Sequence, residues 1–463
     1  MINITKEQFE VSKKENKIFS LISTFRGDEF TPITIYNGLK GNRKFILEGG
    51  SKENRFGRYS FLGENPYKEI SGNTIKEFKE VEENIIKDEV KYNDFSFKGG
   101  AIGYIGYDTV ALFEPRLKFE NPDDINAPII RFNFYNRYIC YDHFTHKVHV
   151  IDNILPNDNR GYDELKEEQK NYFLSLLDNK FSFYDIEKGK EIDFKFITSK
   201  EKFIENVEKA KEYIKSGDIF QVVLSQRMYC DIEMTPLEVY RRLREENPSP
   251  YMFLLDYDEY QVIGSSPESL VSVKGDEVIT NPIAGTRKRG ETEDEDRRLE
   301  EELLADEKER AEHVMLVDLG RNDIGKVSEI KTVEVKDFMK VERFSHVMHI
   351  TSQVVGKIRK DKTAFDALGA CLPAGTVSGA PKIRAMEIIE ELEDVKRDIY
   401  AGTVGYFSHG GDMDMCIALR TFVLKGKRAY LQAGAGIVYD SIPENEFMEI
   451  QNKLLALKEA LRW

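Results

Sequence analysis

The strongest constraint on the fold is a pair of Glu-x-x-Glu motifs that lie far apart in the sequence. The first motif contains Glu309 and Glu312, and the second contains Glu446 and Glu449. A spacing of three residues places both carboxylates of a motif on the same face of a helix. If the two helices meet, four negative charges converge and repel one another unless a cation lies between them. Because an all-oxygen site favours a hard ion, we predict that the chain folds to bring these helices together around Mg²⁺.

A single Glu-x-x-Glu motif in an acidic chain is more often a solvated helix face. The neighbouring residues favour a site here. The run that follows Glu312 is mostly apolar, which places this carboxylate near the edge of the core. Lys453 lies one turn after Glu449 and on the same face. It either forms a plain salt bridge there or contacts an anionic substrate.

Composition narrows the class of protein. The chain has 463 residues, 41% hydrophobic and 32% charged, which is typical of a soluble globular protein. Its formal net charge is -15 and it has no basic stripe, which argues against nucleic-acid binding. We also expect no membrane span and no signal peptide, because no long apolar run is present. The scattered cysteines predict free buried thiols in a cytoplasmic protein: Cys140, Cys230, Cys371 and Cys416.

The order of predicted elements indicates an α+β fold. Residues 1–190 are rich in predicted strands, whereas helices and strands alternate in residues 191–463, so we predict two domains with a linker near 187–191. The patterns predict strands at Thr31–Tyr36 and Phe45–Glu48 and a hairpin of Arg137–Asp142 with Lys147–Asp152. They also predict helices over 199–215, 292–319 and 443–462 and late strands at 428–432 and 436–439.

Two segments of small residues are candidate ligand-binding elements. Gln432–Gly436 is predicted to be a loop between the late strands, and the exposed N–H groups of such a loop suit a carboxylate. A tight strand connection is the alternative. Pro282–Arg287 is a second small-residue turn, with a hydroxyl and a guanidinium group. His349 is a candidate acid–base residue, although an isolated histidine is usually structural.

Taken together, the motifs resemble those of the chorismate-utilising enzymes. The resemblance covers almost the whole chain and is strongest from about residue 200 onward. The weaker N-terminal match comprises Phe45–Glu48 and Gly57–Leu62. The stronger matches, in chain order, are Gly217–Ser225, Ser265–Glu268, Pro282–Thr286, Glu309–Asp323, Ser345–His349, Pro373–Lys382, Asp414–Thr421 and Gln432–Asp440.

The resemblance implies two interlocked α/β subdomains around orthogonal, largely antiparallel sheets with helices outside. It implies that Glu312 and Glu449 bind Mg²⁺ directly and that Glu309 and Glu446 support it through water. The ring carboxylate of chorismate would lie at the metal, and its enolpyruvyl carboxylate would contact Tyr400. The resemblance assigns these further substrate contacts: Gly285, Thr286, Thr376, Arg420, Gly434, Ala435, Gly436 and Lys453.

The implied reaction has two steps. Ammonia adds at ring C2 while the C4 hydroxyl leaves, and pyruvate is then eliminated to give anthranilate, the first step of tryptophan biosynthesis. Glu268 resembles the acid that protonates the leaving hydroxyl, which requires a raised pKa. His349 resembles the residue linked to the elimination, and Thr376 completes the catalytic set.

Particular positions favour anthranilate formation over the other family reactions. Gln221 stands where the water-using members have a lysine base. Ala284 stands where many aminodeoxychorismate-forming members have a lysine nucleophile. Some of those folate-pathway members also have alanine there, so they remain the alternative.

The chain also lacks a Gly-x-Cys-x-Gly nucleophile motif. We therefore expect it to obtain ammonia from a separate glutamine amidotransferase subunit, in a hetero-oligomer.

The resemblance further suggests an inhibitor site for tryptophan at Pro250, Tyr251 and Met252. The other half of that site normally carries a serine where this chain has Gly49, which weakens the case for regulation.

Three functions of other classes are less favoured. A carboxylate-bridged di-metal protein usually has Glu-x-x-His pairs, which these helices lack. A non-catalytic amino-acid sensor would not need Glu268, His349 and Arg420 together. Gly320–Lys326 has the spacing of a phosphate-binding loop, but it follows a helix and Val327 replaces the required hydroxyl residue.

Overall fold

The computed structural model describes residues 1–49, 57–177, 192–343 and 347–462. The helices are α1 Lys6–Lys14, α2 Pro32–Gly38, α3 Ile75–Asn84, α4 Tyr162–Ser175, α5 Lys200–Ser216, α6 Pro236–Glu246, α7 Glu293–Ala305, α8 Glu307–Gly325, α9 Ala364–Cys371, α10 Lys382–Leu392 and α11 Pro443–Leu461. The first strands are β1 Phe19–Arg26, β2 Phe45–Glu48, β3 Tyr59–Gly63, β4 Lys68–Gly72, β5 Gly100–Ile105, β6 Ile130–Tyr135, β7 Arg137–Asp142, β8 Lys147–Ile154, β9 Lys195–Phe196, β10 Gln221–Asp231 and β11 Tyr251–Asp256. The later strands are β12 Gln261–Ser266, β13 Ser269–Lys274, β14 Glu277–Thr280, β15 Ile283–Lys288, β16 Glu334–Arg343, β17 Val347–Lys357, β18 Gly379–Ala380, β19 Thr403–Ser408, β20 Met413–Ile417, β21 Thr421–Lys425 and β22 Arg428–Ile437.

Two large antiparallel sheets organise the described part of the chain. The first has the strand order β1-β8-β7-β3-β2-β11-β12-β21-β22-β10-β18, with β9 also on β10. The second has the order β15-β17-β14-β13-β20-β19-β5-β6-β4, with β16 also on β17. This arrangement confirms the α+β fold class. Both sheets combine strands from before and after residue 190, so the two halves of the chain are interlocked, while the boundary near residue 190 stays a prediction.

The core is layered. Between the sheets, Phe253 and Val262 of the first sheet share one buried cluster with Tyr104 and Val404 of the second. On the outer face of the first sheet, Leu454 of α11 belongs to a cluster with strand residues of β10 and β22. Helices α8 and α9 cover the second sheet in the same way. Apolar burial on one face of each helix therefore fixes where the polar faces of α8 and α11 point.

Two local predictions were wrong, and capping explains both. Thr31–Tyr36 was predicted as a strand, but α2 begins there because the Thr31 side chain caps the helix and Pro32 occupies its first position. The helix predicted over 292–319 is two helices. Asp306 ends α7 and caps α8, since its carboxylate accepts hydrogen bonds from the backbone N–H groups of Lys308 and Glu309.

Other predictions were confirmed. Strands β7 and β8 form the expected antiparallel pair, and the described cysteines are free and buried. Gly320–Lys326 lies at the end of α8 and is not a phosphate-binding loop. The predicted linker at 187–191 lies outside the described residues. None of the helices in the described ranges is both long enough and apolar enough to cross a membrane.

Candidate active site

The two acidic helix faces, which the motifs predict to meet, lie within range of each other's charge, but among the described residues their carboxylates do not form one cluster. Burial raises the pKa of Glu312, and the neighbouring charges of Glu309 and Glu449 raise it further. Burial also raises the pKa of Glu446, with a smaller contribution from Glu449. A carboxylate on α8 therefore feels the charge of one on α11.

Cations already accompany two of these carboxylates. Lys453 Nζ lies 2.7 Å from Glu449 Oε1 on α11, and Arg287 Nη1 of β15 lies 3.3 Å from Glu309 Oε1. Within the described ranges, no three His, Cys, Asp or Glu side chains converge closely enough to hold a metal ion. The acidic faces are thus adjacent but not gathered into one ligand set.

A bulge in β15 places a histidine and a hydroxyl beside the acidic face. The pairing of β15 with β17 shifts register between Ala284 and Thr286, and Gly285 at the bulge has a positive φ of 72°. A Cβ there would lie 3.2 Å from Glu309 Oε2, so glycine also permits the close approach of α8. The bulge directs the carbonyl of Gly285 to His349 Nδ1 at 2.9 Å, and Thr286 Oγ1 lies 3.1 Å from the same nitrogen.

These hydrogen bonds define which nitrogen of His349 carries the proton. A carbonyl oxygen only accepts hydrogen bonds, so Nδ1 carries the proton that it donates to Gly285. Burial lowers the pKa of His349, and the nearby charge of Arg420 lowers it too. In the neutral ring, Nε2 is therefore the nitrogen that carries no proton.

Glu268 and Thr376, both predicted to be catalytic, lie in contact with each other. Glu268 lies between β12 and β13, where its backbone carbonyl accepts a hydrogen bond from Ile417 N at 3.0 Å. Thr376, in a short 3-10 turn, donates from Oγ1 to Glu268 Oε1 at 2.9 Å. Burial raises the pKa of Glu268 to about 7, although the hydrogen bond from Thr376 and the charge of Lys453 act in the opposite direction. At neutral pH this carboxyl group can carry a proton and donate it.

Tyr400 and Arg420 come from adjacent segments. Ala401 N donates to Ala418 O at 3.1 Å, which holds the two segments together. Arg420 has a positive φ of 48°, and its Nη1 donates to Asn247 Oδ1 at 3.0 Å. Burial lowers the pKa of Arg420, as expected for a cation held away from water.

The small residues Gln432–Gly436 do not form the predicted loop. They lie inside the continuous strand β22, where Gly434 pairs with Ser225 and Gly436 with Val223 of β10. Among the described residues, β21 pairs with β22 only as far as Leu431, so this edge of 432–437 has no strand beside it.

The glycines instead make room for side chains. A Cβ on Gly434 would lie 2.9 Å from Tyr400 Oη, and one on Gly436 would lie 2.7 Å from Gln221 Nε2. Lys453 Nζ donates to the carbonyl of Gly434 at 2.9 Å. Ala435, between them, is fully buried.

Sequence reasoning missed a buried ion pair beneath the site. Arg397 is almost fully buried, and its Nη2 lies 2.5 Å from Glu393 Oε1. Its guanidinium group lies 5.7 Å from the ring of Tyr400 and donates to the carbonyl of Val377, the residue after Thr376. It therefore ties two predicted site residues together. The sequence carried no distinct signal for this pair, because both residues lie within the charged run 390–398.

The two halves of the predicted inhibitor site are also adjacent. Met252 of β11 pairs with Glu48 of β2, which immediately precedes Gly49. Tyr251 Oη donates to Asp414 Oδ1 at 3.2 Å, and burial raises the pKa of Asp414 to about 7. Pro250 directly precedes β11. The site adjoins the active site, since Tyr251 pairs with Ser266, two residues before Glu268.

Comparison with known proteins agrees with this architecture. A sequence profile described as chorismate binding enzyme matches residues 42–459. The chain belongs to the chorismate-binding enzyme family. Its curated relatives include anthranilate synthase component 1 of Acetivibrio thermocellus, which is 45% identical over 99% of this chain and 98% of that protein. The Lactococcus lactis protein of the same name is 46% identical over 94% and 98% of the two chains.

Solved structures extend the comparison. Anthranilate synthase component I from Streptococcus pneumoniae has a TM-score of 0.81 and 43% identity, covering 94% of this chain and 98% of its own. The isochorismate synthase MenF from Escherichia coli has a TM-score of 0.74 at 19% identity, covering 98% of each chain, and shows the shared fold alone.

Proposed function

We propose that this chain is the large subunit of an anthranilate synthase, which converts chorismate and ammonia to anthranilate and pyruvate in the cytoplasm. The observation that carries the proposal is Glu268, a buried carboxyl group whose pKa is raised to about 7 and which shares a cavity wall with helix α8, the helix that presents Glu309 and Glu312. A neutral acid next to a cation-binding face suits a reaction that expels hydroxide from a doubly anionic substrate.

The donor chemistry of the acidic faces fits Mg²⁺, because Glu309, Glu312, Glu446 and Glu449 offer only oxygen donors. Burial, and to a smaller extent the neighbouring carboxylates, raises the pKa values of Glu312 and Glu446, and a cation would offset this. Since the four carboxylates do not form one ligand set in this structure, a bound ion would have to draw the two faces together. Glu312 and Glu449 would hold the ion directly and the other two would support it. When bound, Mg²⁺ neutralises this charge and polarises the ring carboxylate of the substrate.

The remaining charged group of chorismate, the enolpyruvyl carboxylate, requires a separate partner. Arg420 is a partly buried guanidinium that can pair with it, and the hydroxyl of Tyr400 lies next to Gly434. The small residues of β22 leave room for Tyr400 and Gln221, which can line the space for the ring. Lys453 bridges this strand and the acidic face.

The protons can be followed through the two steps. Glu268 donates its proton to the C4 hydroxyl, which leaves as water while ammonia forms the new bond at C2. General acid catalysis of this kind is worth about 100- to 10,000-fold in rate. The unprotonated Nε2 of His349 then accepts the ring proton at C2 as the C–O bond to the enolpyruvyl group breaks, and the ring becomes aromatic. The enolpyruvate that leaves takes up one proton at carbon and becomes pyruvate.

A product assay tests the function. Purified chain with chorismate, Mg²⁺ and ammonium should give anthranilate, detected by its fluorescence. A 4-amino product would instead support the alternative, an aminodeoxychorismate synthase. Ala284, which has no nucleophilic side chain, favours anthranilate, and so do the relatives named above.

We also propose that ammonia comes from a glutamine amidotransferase subunit. The described cysteines are buried, and burial raises the pKa of each thiol, which disfavours the reactive thiolate. The chain alone should therefore use ammonium but not glutamine. Formation of anthranilate from glutamine by the isolated chain would contradict this proposal.

Regulation by tryptophan can be tested at Gly49. The position lies beside Met252 but provides no hydroxyl to bind an amino-acid ligand. We expect tryptophan to leave activity unchanged at millimolar concentration and the substitution Gly49→Ser to increase inhibition. Strong inhibition of the natural chain would show that the hydroxyl is dispensable.

A further inference from the structure

A small cavity with both polar and apolar walls adjoins Glu268. Its volume is about 40 Å³, and its walls include Glu268, Thr376, Asn281 and Asp323. One water molecule needs about 10 to 15 Å³ together with several polar partners. The cavity therefore has room for a short file of water molecules that begins at the catalytic carboxyl group.

Helix α8 forms one wall of this cavity. Leu316, Leu319, Gly320 and Asp323 line it, and their spacing places them on one helical face. The same face carries Glu312 one turn earlier. The helix that presents the acidic motif therefore also encloses the space behind Glu268.

Asp323, one of the lining residues, connects the cavity wall to two lysines. Asp323 pairs with Lys382 at 2.7 Å and with Lys326 at 3.1 Å. The Lys326 side chain is 53% exposed, whereas Asp323 is buried. The cavity wall thus contains Glu268 and also Asp323, which is paired with a cation that solvent reaches.

We propose that this cavity is a water relay that returns a proton to Glu268 and receives the water released from C4 in each turnover. The inference rests on the proposed function, because Glu268 loses one proton per turnover only if it protonates the leaving hydroxyl.

The relay balances the reaction. The C4–O bond breaks, its electron pair and the proton of Glu268 stay with the oxygen, and one water molecule forms. Ammonia supplies the electron pair for the new C–N bond, which leaves a cationic amine that releases one proton to solvent. One proton then returns through the cavity to the Glu268 carboxylate, so no oxidant, reductant or further reactant is required.

Gly320 offers a direct way to close the relay. A Cβ at this position would meet Thr280 Cγ2 at 3.1 Å and Pro282 Cγ at 3.5 Å, both within the cavity wall. Alanine also favours a helix over glycine, so Gly320→Ala should fold. Gly325 is a matched control in the same helix, because a Cβ there meets nothing within 4 Å.

The experiment compares the alanine and valine variants at both positions, using ammonium as the nitrogen source. We expect Gly320→Ala to lower kcat about tenfold, within the range available to general acid catalysis, and Gly320→Val to lower it further. The KM for chorismate should stay within about twofold of the natural value, since the substrate contacts lie on other elements. The solvent deuterium isotope effect on kcat should increase, because proton return becomes rate-limiting. Thermal unfolding of each variant verifies that it is folded.

The outcomes separate the two proposals. If the Gly320 variants match the Gly325 variants in kcat and isotope effect, the relay is refuted while the function stands. If the natural chain and the Gly325 variants form no anthranilate, the proposed function itself fails. A drop in kcat without a larger isotope effect would indicate a purely structural role for Gly320 and would also overturn the relay.

Discussion

Replacing Glu268 by glutamine should stabilise the folded chain at alkaline pH while it removes the catalytic acid. The folded environment raises the pKa of this carboxyl group from 4.5 to about 7, chiefly through burial. Between these two values the unfolded chain releases the proton and the folded chain retains it. Stability must therefore fall as the pH rises from about 4.5 to about 7. Glutamine does not titrate and escapes this loss.

The magnitude follows from the two pKa values. Each pKa unit corresponds to about 1.4 kcal/mol, so the cost of ionising Glu268 in the folded state reaches about 3 kcal/mol at pH 8. At pH 5 the same calculation gives about 1 kcal/mol. The difference in unfolding free energy between Glu268→Gln and the natural chain should therefore grow by about 2 kcal/mol from pH 5 to pH 8.

Urea unfolding at both pH values measures this growth. An effect of the substitution on packing is the same at both pH values, so it cancels when the two values are compared. The contributions of the other titrating groups also cancel, because both chains contain them. Activity should be lost at both pH values. If the difference in unfolding free energy is the same at pH 5 and pH 8, the pKa of Glu268 is not raised in the folded chain. Its role as an acid would then be refuted.

Four further substitutions test the site. Glu449→Gln should raise the Mg²⁺ concentration for half-maximal activity by about tenfold or more in a metal titration, because one carboxylate ligand is lost. In the natural chain kcat should fall above about pH 7 as Glu268 loses its proton, and Thr376→Val should move this fall to higher pH, because the hydrogen bond from Thr376 lowers the pKa of Glu268. His349→Ala should stop the reaction after ammonia addition, so that chromatography detects an aminated ring that still carries the enolpyruvyl group. Arg420→Lys should raise the KM for chorismate more than it lowers kcat in steady-state assays, because lysine cannot form the paired hydrogen bonds of a guanidinium.

Matched controls make these results specific. Glu459 lies on the same helix as Glu449 but pairs at the surface with Arg462, so Glu459→Gln should leave the Mg²⁺ requirement unchanged. Equal metal requirements for the two variants would contradict the metal assignment. An unchanged pH profile in Thr376→Val would contradict the coupling to Glu268, and complete turnover by His349→Ala would remove the histidine from the elimination. An unaltered KM in Arg420→Lys would remove Arg420 from the substrate site.

Local patterns predicted much of this structure because they depend on neighbouring residues. The antiparallel pair β7–β8 and the closing helix α11 follow from alternation and from helical periodicity. The proximity of the acidic faces of α8 and α11 could also be inferred, since two acidic motifs on separate helices suit one shared cation. Their order along the chain, with the other motifs, was sufficient to identify the family.

Errors arose where local signals were ambiguous. Small residues at Gln432–Gly436 suggested a turn, but β10 extends them into a strand and the glycines admit Tyr400 and Gln221. Propensity alone could not show whether the absence of side chains makes room for a bend or for neighbouring groups. Asp306 was read as part of one helix because a capping aspartate and a helical aspartate look alike in sequence.

The sequence by itself determined which residue types are available and on which face of each helix the acidic motifs lie, because those properties repeat with the helical period. Only the tertiary structure decided that burial raises the pKa of Glu268 to about 7 and that Arg397 lies against Tyr400. It also decided that Glu268 and Asp323 share the wall of one cavity. These properties depend on burial, and burial is set by residues distant in the chain that no local pattern encodes.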